Sequence, residues 1–360
     1  MPTEPESALL EGLVTRDYPI AEDTWGDFWD RLRGRELRDG EALAVVSSLT
    51  SHLPDGASIA AMLRSLRARN PVPQPPSRTT VNIVGTGGGP STFNLSTASA
   101  FVAAAAGARV IKTGSRAYAS RTGSIDLLER LGVPLTTSYE QTETMLDTFN
   151  IACAGPFVYP KELRLLARGI LPFGMKTVGR FFNVVGPFLA AVPVSMQITG
   201  VSDHAVLPTF YELAAQDSSK RLWLCANELG ADELLSIVDS EVFDSERGET
   251  FTLSPGELGL GGGSFEDLLP VTELDATVSH FLALVRGDGP TAALQSIQLN
   301  AAALILNGRV AEDWPRALEL AAETLRAGET ERLIERIRSH ETQTPAAAAP
   351  SVPSGGGGSR

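Results

Sequence analysis

TTVNIVGTGGGPSTFNLST, residues 79–97, joins a β-rich run to the start of a small-residue apolar helix through a glycine loop. The run TTVNIV reads as a strand that empties into GTGGG. Gly85, Gly87, Gly88 and Gly89 let the backbone approach a ligand and reach positive φ without steric cost, with Thr86 between them. The helix that follows turns its free N–H groups and its dipole toward the same place. Asn94, Ser96 and Thr97 add side-chain donors at that helix start. The combination suits a multiply charged phosphate ester. A glycine cluster alone would be an ordinary turn as often as not. Its meaning comes from the strand before it, the NLST helix start after it, and a second strand, VIK, ending in Lys112.

Working outward, strands are expected at 79–85, 108–113, 151–155, 194–201 and 221–226, with strand-like segments at 235–239 and 250–253. Helices are expected between them at 94–106, 123–131, 138–149 and 204–216, and two long helices, 273–307 (broken at GDGP) and 311–339, close the chain. This alternation predicts an α/β fold with a central, mostly parallel sheet covered by helices. A lysine at the carboxyl end of such a strand faces the crevice where these sheets bind ligands, which makes Lys112 a candidate phosphate partner. The next loop, TGSRAYASRTGS (113–124), supplies small hydroxyls, Arg116, Arg121 and a second helix start at Ser124, a further anion-friendly wall.

Upstream, residues 5–70 carry apolar positions at helical spacing and read as four short helices, with Asp23-Thr24 and Asp55 as N-cap candidates for the second and fourth. NPVPQPPSR (70–78) breaks every periodicity, because proline neither continues a helix nor pairs inside a sheet. Residues 160–191 interrupt the alternation with helical pattern only. The expected organisation is a small all-helical domain (1–76, with 160–190 packing back onto it) and a larger α/β domain (77–159 and 191–338). The ligand cleft is expected between them. Residues 339–360 end in GGGGSR, which looks like an engineered linker remnant on a disordered tail.

At 360 residues the chain exceeds the roughly 250–300 at which single cores stop growing, which agrees with two units. A net charge of −13 without a basic run argues against nucleic acid or an anionic membrane as partner. No basic n-region with an apolar run opens the chain, and no apolar stretch reaches the roughly 20 residues of a membrane span, so a cytoplasmic location is the expectation. Cys153 and Cys225 read as buried thiols, and the four histidines show no metal-ligating spacing. In NELGADELLS the adjacent carboxylates Asp232 and Glu233 read, on their own, as a solvated turn. Beside a phosphate loop the same pair could hold Mg²⁺, which takes a few carboxylates together with phosphate oxygens and water.

Taken together, these residues resemble the anthranilate phosphoribosyltransferase family over roughly residues 8–338. The blocks that carry the resemblance are GTGG with TFNLST, K-x-G-x-R at 112–116, S-x-x-GS-x-DLLE at 120–129, FN-x-x-GP at 182–187 and the Asp232-Glu233 pair. The resemblance implies a nucleoside phosphorylase/phosphoribosyltransferase-like fold and Mg²⁺-dependent transfer of phosphoribose from phosphoribosyl pyrophosphate to an aromatic amine, with pyrophosphate released. It implies that Gly85, Thr86, Gly87, Gly88, Asn94, Ser96, Thr97, Lys112 and Ser124 hold the donor, and that Ser96, Asp232 and Glu233 meet the metal. The acceptor would lie against Thr113, Gly114, Ser115, Phe173, Gly186 and Pro187. The resemblance also implies a homodimer, with Trp25 and Trp29 on the N-terminal helices as candidate contacts. No residue is assigned to acid–base catalysis, since a weakly basic aromatic nitrogen needs little help from a general base.

The departures fall on one side. Gly89 stands where the family has Asp, Thr113 and Ser115 where it has His and Asn, and VGPFLAA replaces LGPLTNP. Counting back from FN-x-x-GP, the arginine that grips the acceptor carboxylate falls at Phe173, with Lys176 and Arg180 nearby but out of register. Donor features persist while acceptor features become smaller or apolar, so an analogue of anthranilate is expected over anthranilate itself. The alternatives are a non-catalytic or regulatory relative and a pyrimidine-nucleoside phosphorylase, against which the acidic pair and NLST count.

Overall fold

The strands at 79–85 and 194–201 are next to each other in space, and everything else arranges around that pairing. The computed structural model describes residues 7–75, 77–114, 116, 123–271, 273 and 275–343. Its strands are β1 (Thr80–Gly85), β2 (Arg109–Lys112), β3 (Ile151–Cys153), β4 (Met196–Gly200), β5 (Arg221–Asn227), β6 (Ser240–Asp244) and β7 (Glu249–Leu253). They form one sheet in the order β3-β2-β1-β4-β5-β6-β7. The first five in that order run parallel, and β6 and β7 add antiparallel. The chain is thus an α/β protein with a mostly parallel sheet. Strand order reverses between β1 and β4, where residues Gly85 and Gly200 face each other in register. Parallel sheets bind ligands outside the strand ends at such a reversal.

The helices are α1 (Ala8–Thr15), α2 (Glu22–Gly34), α3 (Glu41–Ser51), α4 (Gly56–Arg69), α5 (Leu95–Ala105), α6 (Ser124–Leu131), α7 (Tyr139–Phe149), α8 (Lys161–Gly169), α9 (Met175–Val178), α10 (Arg180–Val184), α11 (Gly186–Leu189), α12 (Leu207–Gln216), α13 (Ala276–Val285), α14 (Thr291–Asn307), α15 (Trp314–Arg326) and α16 (Glu329–Gln343). Local chemistry explains many of the ends. Asp55 caps α4 by accepting from the Ser58 N–H, and Ser138 caps α7 in the same way. α2 begins at Glu22 with Ala21 as its cap, so Asp23 belongs to the first turn, where its charge complements the dipole, and is not the N-cap.

Two apolar clusters hold the layers. One face of the sheet, through Val81, Ile83, Met196, Ile198, Trp223 and Cys225, packs with α5 and α14. The other cluster joins Leu222 and Leu224 of β5 and Phe210 of α12 to α1–α4, and also takes in Leu166, Ile170, Phe181, Val185 and Phe188 from the 160–190 stretch. Cys153 and Cys225 are buried free thiols.

Several expected details differ. Residues 235–239 are not a strand. Leu235 is buried and Ile237 and Val238 are partly so, but the Ser296 hydroxyl and the Asn300 amide satisfy backbone groups of Leu234 and Ser236 in place of a ladder partner. The expected helix 311–339 is two helices, α15 and α16, divided where Gly328 takes a φ of +67°. α16 runs to Gln343, so the expected tail does not begin at 339. Trp25 and Trp29 are fully buried inside their own chain and offer no surface to a second copy. Among the described residues, no helix is long and apolar enough to cross a membrane.

Candidate active site

The carboxyl ends of β1 and β4 open into a cleft of about 840 Å³. The loop after β1 forms its floor, with Gly87 at φ +67° and Gly88 at φ +87°, a backbone shape that glycine adopts without strain. The N-terminus of α5 faces the same space, and Asn94 does not spend its side chain on capping that helix.

Asp232 and Glu233 reach this floor from the turn between β5 and β6. Asp232 Oδ2 accepts from the Gly87 N–H at 2.7 Å, and Glu233 Oε1 accepts from the Ser96 N–H at 3.0 Å. The Thr92 hydroxyl donates to Glu233 Oε2. The acidic turn can lie this close only because β1 and β4 both end in glycine. A Cβ on Gly85 would stand 1.9 Å from Asp232 Oδ2, and one on Gly200 would stand 1.8 Å from the Asp232 carbonyl oxygen. Burial raises both carboxyl pKa values above the ordinary range, and for Glu233 the neighbouring Asp232 charge adds to it. Lys112 lies buried across the cleft, its ammonium donating to the Thr113 carbonyl at 2.5 Å, and burial lowers its pKa to about 8.

Two adjoining carboxylates that repel each other in a desolvated place, with the Ser96 hydroxyl on the same lining, are hard oxygen donors that a divalent cation would relieve. Only two carboxylates meet there. Among the described residues no group of three or more His, Cys, Asp or Glu could hold a metal. That fits Mg²⁺, which draws its remaining ligands from phosphate and water.

Most of the expected site residues line this one cleft: Gly85, Thr86, Gly87, Gly88, Asn94, Ser96, Lys112, Thr113, Gly114, Ser124, Gly186, Pro187, Asp232 and Glu233. Thr97 does not, being buried in α5 with a hydroxyl that has no partner among the described residues. Phe173 does not either: it sits beyond the end of α8, 47% exposed, and is not part of the cleft lining. Ser115 lies outside the described residues, as does Arg121.

The site also contains residues the motifs did not point to. Pro160, Leu163, Arg164 and Ala167 turn one face of the α8 region into the cleft. Arg164 is exposed there and makes no ion pair among the described residues. The sequence showed only that this stretch is helical, and nothing local marks Arg164. Arg180 lines the mouth and pairs with Asp203 at 3.2 Å, and Arg116 pairs with Asp126 and Glu129. Tyr159 donates to the Gly114 carbonyl at 3.3 Å.

A glycine loop and helix N-terminus at the strand reversal, facing an acidic turn, form an anion-binding cleft at the place where parallel sheets take their ligands. Residues 77–331 match the profile of the glycosyl transferase family, a/b domain. Similar curated proteins are anthranilate phosphoribosyltransferases. That of Exiguobacterium sibiricum is 31% identical over 85% of this chain and 89% of its own length. That of Bacillus subtilis is 30% identical over 73% and 78%. The crystal structure of the Thermus thermophilus anthranilate phosphoribosyltransferase superposes with a TM-score of 0.77 at 26% identity, covering 92% of this chain and 98% of that one. The Saccharomyces cerevisiae enzyme, solved in complex with PRPP and Mg, has the same fold with a TM-score of 0.75 at 21% identity, covering 94% and 99%. The chain belongs to the anthranilate phosphoribosyltransferase family, which is a family of pentosyltransferases.

Proposed function

We propose that the protein transfers phosphoribose from phosphoribosyl pyrophosphate to an aromatic nitrogen, releasing pyrophosphate, and that the preferred acceptor is an analogue of anthranilate. One observation carries the donor half: the Gly87 and Ser96 N–H groups, the start of α5 and the Asp232-Glu233 turn converge on one floor. Lys112 and the Gly88 backbone of the same loop hold phosphate oxygens there, while the Gly87 and Ser96 N–H groups fix the two carboxylates. Asp232, Glu233 and Ser96 would hold Mg²⁺, which, when bound, supplies positive charge to the leaving pyrophosphate. As the bond from the anomeric carbon to pyrophosphate breaks, the acceptor nitrogen forms the new bond from the opposite side and loses its proton to water. The chain's contribution is electrostatic hold on the leaving group and alignment of the two reactants.

The acceptor half lies between Thr113-Gly114, Tyr159 and Gly186-Pro187. Apolar and small hydroxyl surfaces suit a flat ring. Arg164, which makes no ion pair among the described residues, can meet an acidic substituent, but it is solvent-exposed, where a charge contact is worth only about 0–1 kcal/mol. Anthranilate should therefore be held weakly. We further propose that the unit of 1–76 with 160–190 forms one wall of the cleft and the α/β unit the other, and that the protein acts as a homodimer in the cytoplasm through surfaces other than Trp25 and Trp29. Pyrophosphate release measured across anthranilate, other aromatic amines and N-heterocycles tests the reading. Turnover with some aromatic amine or heterocycle at least tenfold more efficient than with anthranilate is expected. Anthranilate as the best acceptor would refute the acceptor half, and no turnover with any would favour a non-catalytic relative.

A further inference from the structure

A parallel sheet covered on both faces normally carries aliphatic side chains. The face of β1 and β4 turned toward the helical layer instead carries Asn82, Gln197 and Thr199, all fully buried. Gln197 uses every hydrogen-bonding position of its amide. Its Oε1 accepts from Asn82 Nδ2 at 3.3 Å and from Lys220 Nζ at 3.1 Å. Its Nε2 donates to the Pro187 carbonyl at 3.0 Å and to Thr199 Oγ1 at 3.0 Å. Asn82 continues the chain, donating to Thr113 Oγ1 at 3.0 Å and accepting from the Thr113 N–H at 3.3 Å.

The two ends of this chain, Thr113 and Pro187, both line the cleft, one on the loop after β2 and one on α11. Only one orientation of the Gln197 amide works. Turned over, it would set a carbonyl oxygen against the Pro187 carbonyl and an NH₂ against the Lys220 ammonium. Lys220 is itself buried near Asp217, and Asp217 is gripped by Arg67 of α4 through two bonds, at 3.0 and 2.7 Å. The network therefore reaches from the helical layer through the sheet to two separate segments of the cleft lining. Satisfied buried networks of this kind fix one geometry, because each broken member leaves an unpaired polar group in a low-dielectric interior.

We propose that Gln197 is a positioning residue for the transfer reaction: locked by Lys220, it sets the distance between Thr113 and Pro187 and so the fit of the acceptor ring. The proposal rests on the reading of that half of the cleft as the acceptor side.

The test uses the full chain and the acceptor with the highest turnover in the panel. Gln197→Glu keeps size and the contacts of one oxygen with Lys220 and Asn82, but replaces the donor facing Pro187 with an acceptor. The acceptor KM should rise about tenfold or more, while the affinity for phosphoribosyl pyrophosphate with Mg²⁺ stays within about twofold of wild type. Lys220→Met removes one of the two contacts that fix the amide orientation and should raise the acceptor KM in the same direction by a smaller factor. Acceptor and donor constants unchanged in folded variants, or both shifted together, would mean the network serves stability alone and would overturn the proposal. Failure of both variants to fold overturns it equally. Wild-type protein that binds the donor but turns over no acceptor removes the acceptor reading and this proposal with it. Wild-type turnover with insensitive variants removes only the proposal.

Discussion

Gly200→Ala places one methyl group where the structure has no room and touches no atom that would contact a substrate. The new Cβ would stand 1.8 Å from the Asp232 carbonyl oxygen, 2.2 Å from its carbonyl carbon and 2.8 Å from its Cα. All three are backbone atoms, so no side chain can swing away to make space. Restoring an ordinary contact requires the acidic turn to retreat by about 1.6 Å, and a misplacement of about 1 Å in a reacting site can cost on the order of 100-fold. The same retreat breaks the 2.7 Å bond from the Gly87 N–H to Asp232 Oδ2. A bond to a charged group contributes about 1.5–3 kcal/mol, or roughly 10- to 150-fold in an equilibrium. The expected outcome is a fall of about 100-fold in kcat/KM for phosphoribosyl pyrophosphate. Overpacking should cost about 1–3 kcal/mol of stability, leaving the chain folded. Steady-state kinetics beside a thermal melt read both quantities. A folded Gly200→Ala variant with donor kcat/KM within twofold of wild type would show that the position of the acidic turn is irrelevant to donor use.

Arg164→Gln should raise the KM for acceptors bearing a carboxylate by up to about fivefold and leave uncharged acceptors unaffected, read as the ratio between anthranilate and its amide. Lys112, with a pKa lowered from 10.5 to about 8 by burial, binds its proton less tightly folded than unfolded, so its contribution favours the fold at high pH and is lost as pH falls through about 8. Melts of the ligand-free protein should therefore gain stability between pH 8 and 10 relative to Lys112→Met, and parallel profiles would contradict the burial of a charged amine there. Asp217 is shifted the other way: burial alone would raise its pKa, but Arg67 overcomes it and holds it at about 2, below the ordinary 3.8. Its contribution is full above pH 3.8 and lost as pH falls toward 2. Asp217→Asn should cost about 2 kcal/mol at neutral pH in denaturant titration, and an unchanged midpoint would argue against the Arg67 pair.

The glycine-loop floor of the cleft was legible because its parts are local in sequence. A strand, a glycine loop and a helix start within 79–97 need no tertiary information to be read as an anion cradle. Asp232 and Glu233 were legible as a motif, but their desolvation was not, since it arises from the approach of a distant turn to Gly85 and Gly200 across the strand reversal. Phe173 falls outside the cleft lining because counting back from FN-x-x-GP crosses the breaks around the short helices α10 and α9 and ends in the loop after α8, where sequence offset does not measure position on a helix face. Trp25 and Trp29 looked available because helical stripes show what is buried, not against what; here α4 and α8 cover α2 within the same chain. The network through Asn82, Gln197 and Lys220 joins residues far apart in sequence, and nothing local marks them as partners.

The central claim is that the Asp232-Glu233 turn and the glycine loop form one metal-dependent site for phosphoribosyl pyrophosphate. Calorimetric titration of that donor into the protein, with and without Mg²⁺, tests it independently of any acceptor. The wild type should bind with Mg²⁺ and lose at least tenfold in affinity without it. The Asp232→Ala/Glu233→Ala variant, still folded, should bind weakly and with no response to Mg²⁺. Equal, Mg²⁺-dependent affinity in both proteins would contradict the account.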